Sequence, residues 1–173
     1  MMKKILKYIT VLFLISSLWA QETEYILKSA FLEKFCKFTE WEKEKIDSSA
    51  YFYITLLGEN EFGELLNDLF SKLKIKDKPV KIQYVQNLHE IEIPPHLIFI
   101  SKDQKKNLDK IIQYSKINNI LTVGDTENYG KLGVHINFYI TQENTLHFTI
   151  NLASVQSARL RINLLLLEIA KVI

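Results

Sequence analysis

The chain is poor in the residues that usually staple, bend or charge a domain. It has one cysteine, Cys36, in 173 residues. A single thiol excludes any disulfide within the chain, so stability must come from an apolar core. Cys36 falls at the edge of an apolar helix stripe and reads as a buried structural thiol. Only three prolines and five glycines occur, which excludes collagen-like and low-complexity architectures. There are only two arginines, Arg159 and Arg161, and Lys+Arg exceed Asp+Glu by two. That balance gives no electrostatic case for nucleic acid. Known phosphate and metalloprotease signatures are missing too. GENEFG spans a GxxxxG, but Glu64 stands where a P-loop requires lysine. No GxGxxG or HExxH occurs.

What is present is 47% hydrophobic and 24% charged, a globular composition suited to one core. The first twenty residues stand apart. MMKKILK is basic, ITVLFLISSLW is apolar, and Ala20 precedes the polar QETE. This reads as a secretory signal peptide cut after Ala20, with no cysteine at the cut for a lipid. Removing Lys3, Lys4 and Lys7 takes the formal charge from +2 to 2 − 3 = −1. Residues 21–173 are then expected to form a single exported, periplasmic domain.

In EYILKSAFLEKFCKFTEW (24–41), Leu27, Phe31, Phe35 and Phe38 share one helix face. YFYITLLG, HLIFIS and NILTVG read as short buried strands. Residues 59–73 and 102–116 read as helices, and in PVKIQYV the residues Val80, Ile82 and Tyr84 alternate with charged and polar ones. VHINFYI and TLHFTIN alternate on either side of TQEN and predict a hairpin that sets Tyr139 opposite His147. LASVQSARLRINLLLLEIAKVI reads as one apolar helix. The fold class is therefore α/β: a single layered sandwich with a mainly parallel central sheet, an antiparallel C-terminal hairpin and helices on both faces.

All five glycines lie in 58–63 and 124–133, each stretch beginning where a buried strand ends. In parallel strands both loops would leave the same sheet edge, where open α/β sheets take ligands. Gly58, Glu59, Asn60, Gly124 and Asp125 are thus the candidate ligand pocket. The competing reading makes these glycines turn closers and Asp125 a turn cap. His89, His96, His135 and His147 do not converge in this layout, so no metal site is assigned. A hydrolase reading rests only on Asp125 near the histidine-bearing strands. Catalytic residues and cofactors are accordingly none.

Four stretches resemble the YfiR/HmsC-like family of exported bacterial proteins. They are EYILKSAFLEKFCKFTEW, LLGENEFGELL, LTVGDTENYGKLGVHINFY and LHFTINLASVQSARLRINLLLLEIAKVI. Their order and spacing agree over residues 24–173. The matching positions include Phe31, Phe35, Trp41, Gly58, Phe62, Gly63, Asp125, Asn137, Asn151 and Arg161. The resemblance implies a compact α/β regulator, not an enzyme. It implies a partner too: the periplasmic sensor region of an inner-membrane diguanylate cyclase. Holding that cyclase inactive would lower cyclic di-GMP and biofilm or exopolysaccharide output. A homodimer stays open, as does a small-molecule-binding module acting on another membrane sensor. Departures from the pattern are Asn163 in place of a serine, Glu42 in place of a proline after Trp41, and the lone Cys36, which excludes an internal redox switch.

Overall fold

The computed structural model describes residues 23–173; the signal peptide expected at 1–20 lies outside the described residues. Helix α1 covers 23–38. It leads into β1 (Thr39–Glu40), α2 (Lys43–Asp47), β2 (Phe52–Leu57) and α3 (Leu65–Phe70). Next come β3 (Lys74–Ile75), β4 (Lys78–Val85) and β5 (Leu97–Ile100). A 3₁₀ turn at Lys102–Asn107 runs into α4 (Leu108–Ile117), followed by β6 (Leu121–Gly124), β7 (Ile136–Ile140) and β8 (Leu146–Ile150). The chain closes with α5 (Leu152–Ser157), β9 (Arg161–Ile162), α6 (Leu164–Leu167) and β10 (Lys171–Val172).

Eight strands form one sheet in the order β10-β8-β7-β6-β5-β2-β4-β3. The run β4-β2-β5-β6-β7 is parallel. The hairpin β7–β8 is antiparallel, with Tyr139 opposite His147 as the alternation predicts. The sheet is covered on both faces, so its central strands carry apolar side chains to either side. Phe52, Ile54 and Leu56 of β2, with Leu97 and Phe99 of β5, pack under α1 and α3 through Leu32, Phe35, Leu66 and Phe70. Leu57, Ile98 and Ile100 point the other way and meet Leu108 and Ile111 of α4. Phe35 anchors the first layer, tilted at 5.3 Å from Phe138 and edge-on at 4.9 Å to Phe148, the latter a geometry aromatic pairs favour. Cys36 is fully buried beside it.

Several local expectations change. The buried stripe of α1 runs through Lys28, Leu32, Phe35 and Cys36, while Leu27 is 46% exposed. The predicted helix over 59–73 is confined to Leu65–Phe70. Gly58 and Gly63 take positive φ, and Asn60 Oδ1 accepts from the Phe62 amide at 3.2 Å, so the chain turns before it can wind. Tyr84 is exposed, its hydroxyl donating to the Gly63 carbonyl at 3.1 Å.

The largest correction concerns the C-terminus, which is not one helix. Arg159 adopts φ +56 and ends α5, because a left-handed residue reverses the chain and cannot continue the ladder. β9 then pairs with β1, Thr39 against Ile162 and Glu40 against Arg161. Asn163 restarts the helix as the N-cap of α6, accepting from the Leu165 amide at 3.0 Å. Serine, the residue expected there, supplies the same kind of oxygen.

Candidate functional site

β2, β5 and β6 are parallel neighbours, so their carboxyl ends share one edge. A cleft of about 590 Å³ opens there. The β2–α3 loop contributes Glu59, Asn60 and Glu61; the end of β5 contributes Phe99, Ser101, Lys102 and Lys105. The turn after β6 contributes Asp125, Thr126, Glu127 and Asn128, and α1 closes the fourth side with Glu24, Tyr25 and Lys28. Of the five residues named from the sequence, Glu59, Asn60 and Asp125 line this cleft. Gly58 and Gly124 are not among the residues lining it.

Their roles are steric. Gly58 has φ +91, and a Cβ there would sit 2.4 Å from Asp103 Oδ1. The Asp103 carboxylate occupies that space and accepts the Glu59 amide at 3.1 Å, which fixes the loop. A Cβ on Gly124 would meet Tyr129 Cδ2 at 2.8 Å and Asn137 Oδ1 at 3.2 Å. Tyr129 is wholly buried and donates to the Ser101 carbonyl at 3.2 Å. Burial pushes its phenol pKa up, and the Thr126 hydroxyl eases that shift. Asn137 donates to the carbonyls of Thr126 and Phe138, both at 3.1 Å. Asn151 caps α5 through the Ser154 amide and donates to the Gly130 carbonyl. The loop from Leu121 to Tyr139 is therefore pinned largely from its own residues.

The residue the sequence reading missed is Lys28. Its side chain is 4% exposed and its ammonium lies 2.6 Å from both Glu24 Oε1 and Asp125 Oδ2. It also sits 4.4 Å from the centroid of the Tyr25 ring, within cation–π range. Buried lysines are found paired because an isolated buried ammonium is very costly. A signal was there: Lys28 lies four and seven residues before Leu32 and Phe35, on the apolar stripe. Asp125 is accordingly an ion-pair partner, not a turn cap. Burial first, then the Asp125, Glu61 and Glu24 carboxylates, raise the Tyr25 phenol pKa.

The histidines do not enter the cleft. His96 and His135 are buried, each accepting a strand amide on Nδ1: Tyr53 N and Thr122 N, both at 3.0 Å. Burial lowers both imidazoles to about 4. Among the described residues no three His, Cys, Asp or Glu side chains gather to hold a metal. The remaining signature residues are mostly core. Phe62 meets Tyr25 and Phe99 edge-on, each at 4.9 Å, and Phe31 meets Phe148 at 5.4 Å. Trp41 packs edge-on to Phe52 at 5.3 Å. Arg161 lies 3.5 Å from Glu40 and Arg159 3.9 Å from Glu42. A helix would have sent these arginines to opposite sides. The irregular path instead places both on one shallow groove beside Trp41.

Fold and cleft together define a class: an open, mainly parallel α/β sheet with a charged cleft at the carboxyl ends of adjacent strands. The particular family follows from its profile. The chain belongs to the YfiR/HmsC-like family, whose profile matches residues 25–171. That is a periplasmic regulator family connected with diguanylate cyclase signalling, not a catalytic one. A comparison with curated proteins finds no match. Among solved structures the chain is similar to the ABC domain from Streptococcus pneumonia in complex with L-Trp. The identity is 12% and the TM-score 0.49, over 70% of this chain and 55% of that one. The match thus spans about half the length of that structure, and likeness at this level bears on neither ligand nor partner. No helix among the described residues is long and apolar enough to cross a membrane.

Proposed function

We propose that the protein is an exported, non-enzymatic repressor that binds the periplasmic sensor region of an inner-membrane diguanylate cyclase and lowers cyclic di-GMP. The observation carrying this reading is the family match over residues 25–171, which spans all of the described residues but the first two and the last two. The buried histidines bonded to strand amides and the ion-paired Asp125 support it, since neither is arranged as a nucleophile and base. The signal-peptide pattern at residues 1–20 supports an exported location.

The test has two arms. Deleting the gene should raise cellular cyclic di-GMP and exopolysaccharide. The purified protein should bind the cyclase's periplasmic region and reduce its activity in membranes. Unchanged cyclic di-GMP on deletion, with the protein normally expressed in the parent strain, would refute the reading.

A further inference from the structure

We propose that the cleft at the carboxyl edge of β2, β5 and β6 binds a small organic cation bearing a primary ammonium group. The inference does not depend on the regulatory reading.

The first argument is charge. Glu24, Glu59, Glu61, Asp125 and Glu127 face Lys28, Lys102 and Lys105 around the cleft. Five carboxylates against three ammonium groups give 3 − 5 = −2. Lys28 is already held between Glu24 and Asp125, so the deepest cluster alone is 1 − 2 = −1. Both signs line the cleft, but the net excess of carboxylate favours a positively charged guest. Lys102 and Lys105 also line the cleft, so the preference rests on the net excess, which an ammonium reduces and an added carboxylate or phosphate increases.

The second argument is independent of charge. Ser101 is 2% exposed and lines the cleft. Its hydroxyl oxygen is buried and has no hydrogen-bond partner among the described residues. A buried hydroxyl without a partner carries an uncompensated desolvation cost of about 1–3 kcal/mol. Such groups in native proteins call for an explanation. An ammonium donor removes the cost through charge-assisted bonds to the hydroxyl lone pairs. The third element is apolar: Phe99 and Tyr25 provide rings for the methylenes of an alkyl amine.

The carboxylates do not form a metal cage, because no three gather among the described residues. An ammonium needs only separated acceptors.

The experiment titrates the exported protein, purified as the cell releases it, with 1,4-diaminobutane at constant ionic strength and follows Tm. Succinate, of the same four-carbon length and opposite charge, is the control. The expected result is a concentration-dependent rise with the diamine, about 5 °C at a hundredfold excess over Kd, and none with succinate. Ser101→Ala should leave the unliganded protein as stable as before or more so, since it deletes an unbonded hydroxyl. It should weaken diamine binding about fivefold or more. Asp125→Asn should weaken binding further, and Ser101→Ala keeps the test decisive if that variant folds poorly. No shift with the diamine, an equal shift with succinate, or undiminished binding by Ser101→Ala would overturn the proposal. Loss of the diamine effect leaves cyclase binding untouched, so the two readings fail separately.

Discussion

Replacing Lys28 with methionine isolates the ion cluster that ties α1 to the turn after β6. Methionine preserves most of the apolar stem, so the cavity term is small and the lost charge dominates. Removing one partner from a fully buried pair costs about 3–5 kcal/mol, because the other charge is left without compensation. Here the stranded groups keep some water: the side chain of Asp125 is 18% exposed and that of Glu24 34%. Glu24 can turn outward, whereas Asp125 is anchored by the buried Gly124 backbone. The expected loss is therefore nearer 2–3 kcal/mol, or a fall in Tm of about 5–10 °C. Urea unfolding of the wild type, Lys28→Met, Asp125→Asn and the double variant measures it. The cycle should show a coupling of about 1–2 kcal/mol between the two sites. Lys37→Met is the control: its pair with Glu33 has a lysine side chain 42% exposed, and its loss should cost about 0.5 kcal/mol or less. A cost below about 0.5 kcal/mol for Lys28→Met, or strict additivity in the cycle, would refute the reasoning.

Further tests concern the backbone, the histidines and the thiol. Gly58→Ala should destabilise by about 2–3 kcal/mol, from positive φ and the clash with Asp103. Adding Asp103→Ala should restore the steric share, measured by the same urea titration. His96 and His135 are held near pKa 4 when folded, against about 6.5 unfolded. The unfolded chain therefore binds more protons below pH 6.5. Stability should be flat above that point and fall between pH 6.5 and 4, by about 1.4 kcal/mol per unit for each histidine at the steepest. Urea midpoints at intervals from pH 7.5 to 5 check it, and His135→Gln should make the fall shallower. Burial raises the Cys36 thiol far above the ordinary range, so native protein should resist a disulfide-exchange reagent. Its labelling rate should track global unfolding; fast labelling under native conditions would contradict the packing.

The architecture was legible where one physical signal dominated. HLIFIS and NILTVG carry uninterrupted apolar runs because their strands are covered on both faces, and the β7–β8 register follows from alternation around TQEN. The glycine loops could be placed at one edge because parallel strands share a direction. What was hidden depended on tertiary pairing. Nothing at Arg159 announces a left-handed residue: no glycine or proline stands there, and β9 exists only because β1 lies alongside it. Local periodicity in 152–173 favoured a helix, and a two-residue pairing overrode it. Lys28 was passed over because lysine is normally solvated; its place on the apolar stripe was the clue. His135 and Asn137 alternate with the apolar residues of VHINFYI yet are buried as well, because the chain there lies between β6 and β8 inside a covered sheet.

The sheet order bears on where another strand could add to this protein. An eight-stranded sheet has two open edges, each a row of free amides and carbonyls able to recruit another chain. Here the outermost members are β3 and β10, each only two residues long and each carrying a lysine, Lys74 and Lys171. They are also too short to cover their neighbours: β3 pairs only with Lys78 and Pro79 of β4, and β10 only with Thr149 and Ile150 of β8. The outer side of β4 from Val80 to Val85 therefore has no paired strand among the described residues, and that stretch, interrupted by Lys81 and Gln83, is the length of ladder a further strand could extend.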